Sequence, residues 1–378
     1  MTDNARDAFN EWGYSCQPDC TVMDRDHINR DPKLESQLNS SLAEFFIEFK
    51  HKKCDPFGAS DEPAPNDTSL YSDDLLMEMV EGPVSEVAGQ ITAYATLLLG
   101  NQYRTHTFFV LIVKEFARLL RWDRGGAVVT DRFYYDEDPY LFEFLVRYNY
   151  AGRDMRGHDD TVRNPTEDEL RAARATVDEL KNPTLVTMAI NDRRYVIRAP
   201  CARPEIPVGR WTQTSIAYDC QSRKRVFLKD SWRVELPDVY PESEIYGRLQ
   251  QAEVPYVPRC IDGGDIGGNA YHRTRSHEFM DYTLDPASKK ITRYRHHRLV
   301  LDTVGRKLHR FKCSKEMVRA IHVSLIGKYI ISYRRITVFD ARYSSPSCLQ
   351  GWYSSPRHQR RKYNDCRGSS GYQLWNAH

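Results

Sequence analysis

A lysine and a glutamate in the second half of the chain have the types and the spacing needed to hold a phosphate group. Lys229 ends an apolar run, and a predicted helix with Glu242 and Glu244 follows it. Such a lysine can hold nucleotide phosphates when a glutamate on the next helix holds the lysine by an ion pair. The two glutamates point about 200° apart, so only one can face Lys229. Because apolar Leu249 then falls where the helix packs, we predict that the partner is Glu244. A snorkelling lysine beside a surface glutamate is the simpler alternative.

A second group of residues, near the amino terminus, could bind a metal ion. Asp19 follows a proline, Glu48 and Lys50 form a Glu-x-Lys motif, and Gln90 and Tyr94 lie one turn apart on a predicted helix. Two carboxylates on adjacent strands can bind Mg²⁺, and a neighbouring lysine can stabilise the attacking water or the phosphate. The set resembles the PD-(D/E)xK nuclease motif with its QxxxY helix, which implies a restriction-endonuclease-like fold. The alternative is a regulatory domain in which Glu48 and Lys50 form a surface pair.

Several segments are similar to the fungal-type protein kinases of mushroom-forming fungi. They are GRWTQTSIAYD (209–219), FLKDSWR (227–233), RLVLDTVG (298–305) and 311–321 with SKEMVRAI. The resemblance covers about residues 42–325. It implies ATP and Mg²⁺ as cofactors, a protein substrate or partner, and a kinase small lobe built from an antiparallel sheet and one helix. It also implies that Gly209 begins a loop covering the phosphates, and that Asp302 to Gly305, including Val304, form a hinge gripping adenine through backbone groups.

The motifs that transfer phosphate in a kinase do not follow Leu325. They are a His-Arg-Asp loop with its asparagine and a second metal-binding aspartate. Read one nucleotide later, the possible codons of residues 352–365 permit Gly-Ile-Leu-His-Arg-Asp-Ile-Asn-Val-Gly-Asn-Ile-Met-Ile, which resembles the family's catalytic loop. Gly327-Lys328 can be encoded as GGTAAG, which contains the start of a fungal intron. We interpret residues 328–378 as a disordered or mistranslated tail, a hypothesis that the genomic DNA would decide.

Apolar periodicity divides the rest of the chain into two parts. Residues 1–150 are predicted to form an α/β domain, with strand character in 42–50, a helix over 84–100, strands at 105–113, 116–122 and 127–133, and a short helix over 139–148. Residues 151–183 are a linker with a polar helix over 166–180. Residues 184–327 are the predicted small lobe, hinge and first large-lobe helix, with strands at 185–190, 194–199, 215–219, 225–229, near 271–277 and at 297–302, and helices at 242–251 and 314–325.

Composition adds little to the functional argument. The 378 residues are 40% hydrophobic and 28% charged, with a formal net charge of +2, which indicates a globular protein without a polyelectrolyte character. The start of the chain has no basic segment followed by an apolar run, and no membrane span is expected. We therefore expect an intracellular protein, cytoplasmic or nuclear. Its nine cysteines are expected to be reduced thiols.

The predicted fold class is mixed, α/β in front and α+β behind. The expected function is that of a protein kinase family member, with this chain inactive because it lacks the catalytic loop. Two alternatives stay open. One is a non-catalytic protein that binds a nucleotide or a partner, and the other is a metal-dependent nuclease acting through the front domain, the only route by which nucleic acid would be a partner.

Overall fold

Two β-sheets, one in each half of the chain, organise the protein. The computed structural model describes residues 18–30, 39–51, 55–57, 83–200, 206–267, 270–282, 291–306 and 308–333. Residues 334–378, most of the predicted tail, lie outside this set. None of the described helices combines the length and the apolar character that crossing a membrane requires.

The first sheet has a mixed topology. Its strands are β1 (Cys20–Met23), β2 (Ala43–Lys50), β3 (His106–Val113), β4 (Phe116–Asp123), β5 (Gly126–Val129) and β6 (Phe133–Tyr134), and its helices are α1 (Arg25–Arg30), α2 (Pro83–Asn101) and α3 (Tyr140–Tyr150). The strand order is β1-β2-β3-β4-β5, and β6 also pairs with β4. Only β2 and β3 run parallel among these pairs. A parallel pair needs a crossover connection, and α2 lies between these two strands.

Alternation along β3 produces the two cores of this sheet. Phe109, Leu111 and Val113 pack in the same cluster as the apolar residues of α2, whereas Phe108 and Val110 pack with the cluster of α3. Successive side chains of a strand point to opposite faces, so one strand with a continuous apolar run can serve both. The front part is therefore a sheet covered by one helix on each face.

The second sheet is antiparallel throughout. Its strands are β7 (Val162–Arg163), β8 (Leu185–Ile190), β9 (Arg193–Arg198), β10 (Gln213–Asp219), β11 (Lys224–Val234), β12 (Cys260–Asp265) and β13 (Tyr294–Leu301). Their order is β12-β13-β11-β10-β9-β8-β7. The helices are α4 (Glu167–Thr176), α5 (Glu242–Gln251) and α6 (Ser314–Tyr333). The meander from β8 to β11, followed by α5 and two further strands, agrees with the predicted order of an antiparallel sheet with one helix inserted.

The long strand β11 separates two environments. Val226 and Leu228 belong to the sheet's main apolar cluster, and Asp230 and Trp232 continue the same face as buried residues. Lys229 lies on the opposite face, where it reaches α5. The sheet thus has an α5 face and a second face that carries Asp230, and the linker residue Val162 packs on the apolar cluster of that second face.

A buried carboxylate connects the first sheet to the linker. Glu44 of β2 accepts hydrogen bonds from Tyr148 and His158, and the Arg104 guanidinium lies 3.7 Å from it. Burial opposes ionisation of Glu44, but the His158 hydrogen bond and the Arg104 charge outweigh burial and lower its pKa to about 2. Gly157, next to His158, has φ +95° and its backbone lies against the carbonyl of His106.

Three predictions about the elements need correction. The strand expected near 271–277 is wrong, because the 3₁₀ turns Ala270–His272 and Ser276–Tyr282 occupy this region. Strand β12, which the sequence does not predict, pairs with β13 on the side away from β11. The last helix continues past the predicted end at Leu325 to Tyr333, so the first residues of the predicted tail are helical.

Candidate functional site

Lys229 is held by a glutamate of α5, as the chemistry of a phosphate-holding lysine requires. Its Nζ lies 2.6 Å from Oε2 of Glu242, and the two side chains are 14% and 21% exposed. Cross-strand neighbours Thr214 on β10 and Leu299 on β13 flank the lysine. The pair is therefore fixed on a central strand and partly withdrawn from water, where its Coulomb attraction is screened less than at the surface.

The prediction that Glu244 is the partner of Lys229 is wrong. It lies in the first turn of α5 but pairs with Arg248 at 2.7 Å, on the solvent side of the helix. The physical reason is helical periodicity: Leu249, the buried residue of α5, is seven positions after Glu242, so both residues project in nearly the same direction. Glu244 is five positions before Leu249 and projects away from the sheet. The seven-residue spacing between Glu242 and Leu249 is the sequence signal that identifies Glu242 as the partner.

Gly209 lies in the connection between β9 and β10, with φ +98°, a conformation that favours glycine. Its backbone N–H donates to the carbonyl of Arg124 at 2.8 Å, and the Arg124 guanidinium donates to the carbonyl of Pro207 at 2.9 Å. The same guanidinium stacks over the Trp211 ring with its central carbon 4.0 Å from the ring centroid. The predicted phosphate-covering loop is therefore in contact with the turn after β4 of the first sheet.

Arg124 is fully buried in this contact. It also donates to the carbonyl of Leu99 at 2.8 Å, so it joins α2 to the loop. Burial lowers the pKa of Arg124 to about 9, and the charges of Asp230 and Asp123 oppose that effect. At neutral pH the guanidinium is charged, and nothing in the sequence pattern pointed to this residue.

The predicted hinge residues follow β13 directly. Asp302 is tied to the strand before β12: its N–H donates to the carbonyl of Arg259 at 3.0 Å, and its Oδ1 accepts from the N–H of Arg259 at 3.1 Å. Among the described residues, no protein group bonds to the backbone of Val304. The backbone groups of Val304 could therefore bond to a base, whereas the N–H of Asp302 is already used.

The front set of residues also comes together. Asp19 directly precedes β1, and its Oδ2 accepts from the N–H of Phe49 at 2.9 Å. Glu48 on β2 accepts from the N–H of Asp19 at 3.2 Å, from Lys50 Nζ at 2.5 Å and from the Tyr94 hydroxyl at 3.4 Å. Gln90 lies one turn before Tyr94 on α2 and is half-buried.

Exposure differs sharply between the two front carboxylates. Glu48 is 1% exposed and Asp19 is exposed. Burial raises the pKa of Glu48 and the nearby charge of Asp19 raises it further, while Lys50 opposes the shift. An anionic pair of oxygen ligands with one member open to solvent suits a hard divalent cation such as Mg²⁺. Asp19 and Glu48 are the residues that would hold it.

Comparison with known proteins gives one match. No curated protein and no solved structure matches the chain. The sequence model of a family described as fungal protein kinase matches residues 70–331, which is more than half of the chain. The matched range includes α2 and strands β3 to β6 of the first sheet, all of the second sheet, and most of α6. The chain therefore belongs to the fungal protein kinase family.

Proposed function

We propose that this chain binds ATP through Lys229 and does not itself transfer phosphate. Membership in the family suggests, in general, ATP and a metal as cofactors and proteins as substrates. The observation that carries the proposal for this chain is the 2.6 Å ion pair between Lys229 and Glu242 on the α5 face of the second sheet. A lysine oriented in this way on the third strand of a kinase-type sheet holds the α and β phosphates.

The role of each residue follows from its position. Glu242 orients the Lys229 ammonium through the 2.6 Å ion pair. Lys229 has three donors and can bond to phosphate oxygens while it keeps its bond to Glu242. Val304 supplies backbone groups to the adenine. A bound nucleotide brings the reactive γ-phosphoryl group, but the sequence contains neither a His-Arg-Asp nor an Asp-Phe-Gly motif. These are the motifs that supply the catalytic base and a metal-binding aspartate in protein kinases.

Nucleotide binding can be tested by calorimetric titration of the full chain with ATP. We expect Lys229→Met to weaken binding at least about tenfold, because a hydrogen bond to a charged group contributes about 1.5–3 kcal/mol. Lys224→Met is the matched control, since Lys224 is an exposed lysine on the same strand. Equal ATP affinity in the two variants would remove Lys229 from the site.

The assigned partner of Lys229 can be tested separately. Glu242→Gln should weaken ATP binding, because the lysine loses the carboxylate that orients it, whereas Glu244→Gln should leave binding unchanged. Phosphate transfer is then measured with γ-labelled ATP and casein. Incorporation that disappears in Lys229→Met would show that the chain is an active kinase and contradict the second half of the proposal.

A second candidate function is metal-dependent cleavage of nucleic acid by the first sheet. The specific observation in its favour is the convergence of Asp19, Glu48, Lys50 and Tyr94, which come from β2, α2 and the residue before β1. Asp19 and Glu48 would hold the cation, and Lys50 would lie beside the phosphate. A divalent metal bound there supplies Lewis-acid polarisation of the phosphate and a more acidic water.

Nicking of supercoiled plasmid with Mg²⁺ or Mn²⁺ tests this candidate. We expect Lys50→Ala to abolish nicking, while Lys114→Ala, at an exposed lysine in the β3–β4 turn, should retain it. Equal nicking by Lys50→Ala and the unmodified chain would assign the cleavage to a contaminant. The absence of nicking in all proteins would leave the carboxylates as a structural group.

A further inference from the structure

A buried cluster of polar side chains lies on the face of the second sheet opposite α5. It contains Asp159 from the linker, His272 from a 3₁₀ turn and His296 from β13, which are 4%, 1% and 4% exposed. One ligand atom from each of the three lies within 4.8 Å of the others. Asp230 lies on the same face, one residue after Lys229, and is also buried. The cluster belongs to neither of the sites described above.

The protons on the two histidines can be assigned from their partners. Nε2 of His296 lies 2.5 Å from Oδ1 of Asp230, and Nε2 of His272 lies 3.1 Å from Oδ1 of Asp160. An ionised carboxylate only accepts hydrogen bonds, so both Nε2 atoms must carry a hydrogen. A neutral imidazole has one N–H, and each Nδ1 then presents a lone pair.

The two lone pairs face each other. Nδ1 of His272 lies 3.0 Å from Nδ1 of His296. Two acceptors at this distance, both buried, repel each other unless something positive lies between them. A proton or a metal ion can fill this role. Histidines that bind metals usually donate their other N–H to a carboxylate, and both histidines of this cluster do so.

Charge distinguishes a metal from a proton. Asp159, Asp160 and Asp230 are three carboxylates, and the fully buried Arg298 is paired with two of them: it bonds to Asp159 and lies 3.5 Å from Asp230. With neutral histidines this set has two negative charges in excess, one of which belongs to the half-exposed Asp160. A shared proton neutralises one of them, whereas a divalent cation neutralises both.

We propose that His272, His296 and Asp159 form a Zn²⁺ site that joins the linker to the second sheet. Both histidines bind through Nδ1, and Asp159 supplies a carboxylate oxygen; its Oδ2 lies 3.9 Å from Nδ1 of His296. Imidazole and carboxylate are suitable ligands for Zn²⁺, and three protein ligands leave one position for water. Asp160 and Asp230 orient the histidine rings.

The test is a Zn²⁺ titration of the full chain after removal of metal with a chelator. We expect one Zn²⁺ per chain by calorimetry and elemental analysis, and d–d absorption of a low-coordinate complex when Co²⁺ replaces Zn²⁺. His272→Gln should weaken Zn²⁺ binding at least about 100-fold, because it removes a ligand. Asp160→Asn changes a half-exposed carboxylate and should weaken binding about tenfold, as do changes to groups that orient metal ligands.

His277→Gln is the matched control, because His277 lies in the neighbouring 3₁₀ turn outside the cluster and should bind Zn²⁺ like the unmodified chain. The titration of the unmodified chain does not depend on how the variants fold. If that chain takes up no Zn²⁺, or if nitrogen NMR shows an imidazolium with a proton shared between the two histidines while Zn²⁺ is present, the proposal is overturned. The proposal is also overturned if both Asp160→Asn and His272→Gln bind Zn²⁺ with the affinity of the unmodified chain.

Discussion

Replacement of Arg298 by methionine should cost far more stability than the same change at an exposed arginine of the same sheet. Arg298 is 0% exposed, bonds to Asp159, and donates to the carbonyl of Ala189 at 3.1 Å. Methionine has a similar volume but leaves Asp159 and Asp230 buried without their cation. Loss of one partner from a buried ion pair typically costs about 3–5 kcal/mol, because the remaining charge stays desolvated.

This magnitude can be measured by urea unfolding in the presence of a chelator, which excludes any contribution of bound metal. With a slope of about 3 kcal/mol per molar, a loss of about 3–5 kcal/mol moves the midpoint down by about 1–1.7 M. Arg225→Met is the control, since Arg225 pairs with Glu179 where both side chains are about two-fifths exposed, and such pairs contribute about 1 kcal/mol or less. If Arg298→Met loses no more than the control, the reasoning about uncompensated buried carboxylates is wrong.

Three further predictions concern stability. The folded chain holds the pKa of Glu44 at about 2, so the stability from this group is complete above about pH 4.5 and is lost as the pH falls through 2. In urea unfolding at a series of pH values, Glu44→Gln should reduce this loss of unfolding free energy at low pH. Gly157→Ala should cost more than about 2 kcal/mol in the same assay, because the added Cβ would lie 2.0 Å from the carbonyl oxygen of His106. Gly89→Ala is the control: a Cβ at this position of α2 lies in open space, and the change should stabilise the chain by up to about 1 kcal/mol. Thr166→Ala removes a complete capping box from α4, and a drop of about 1 kcal/mol is expected; an unchanged midpoint would show that the cap is dispensable.

The helices and strands that the sequence predicts well are those whose own residues carry the pattern that predicts them. Residues 108–113 are an apolar run long enough for a strand buried on both faces, and α4 has a capping box at its start. The sequence CIDGGD of β12 has no such pattern, since only its first two residues are apolar. It is a strand because it pairs with β13, and Gly263 allows a close approach: a Cβ there would lie 2.8 Å from the carbonyl oxygen of Arg298. Pairing of this kind depends on a partner more than 30 residues away and is not visible locally.

The candidate sites also differ in whether a local sequence pattern or only the folded chain reveals them. The apolar strand before Lys229 predicts this lysine as a site residue, and a short motif predicts the front carboxylates. The predicted partner Glu244 differs from the observed Glu242 because helical periodicity places Glu242, seven positions before Leu249, on the buried side of α5. The cluster of Asp159, His272 and His296 comes from three segments with no shared spacing, so only the folded chain brings it together.

The burial of Arg124 bears on how this protein can be studied in pieces. Cutting the chain in the linker would leave Arg124 with the amino-terminal fragment and Pro207, Trp211 and the N–H of Gly209 with the other. The first fragment would then carry a guanidinium deprived of one acceptor and its ring contact, and the second would expose an indole and a loop without support. Fragments expressed separately should therefore be less stable than the intact chain, and activity measurements on either one would describe a molecule altered at this junction.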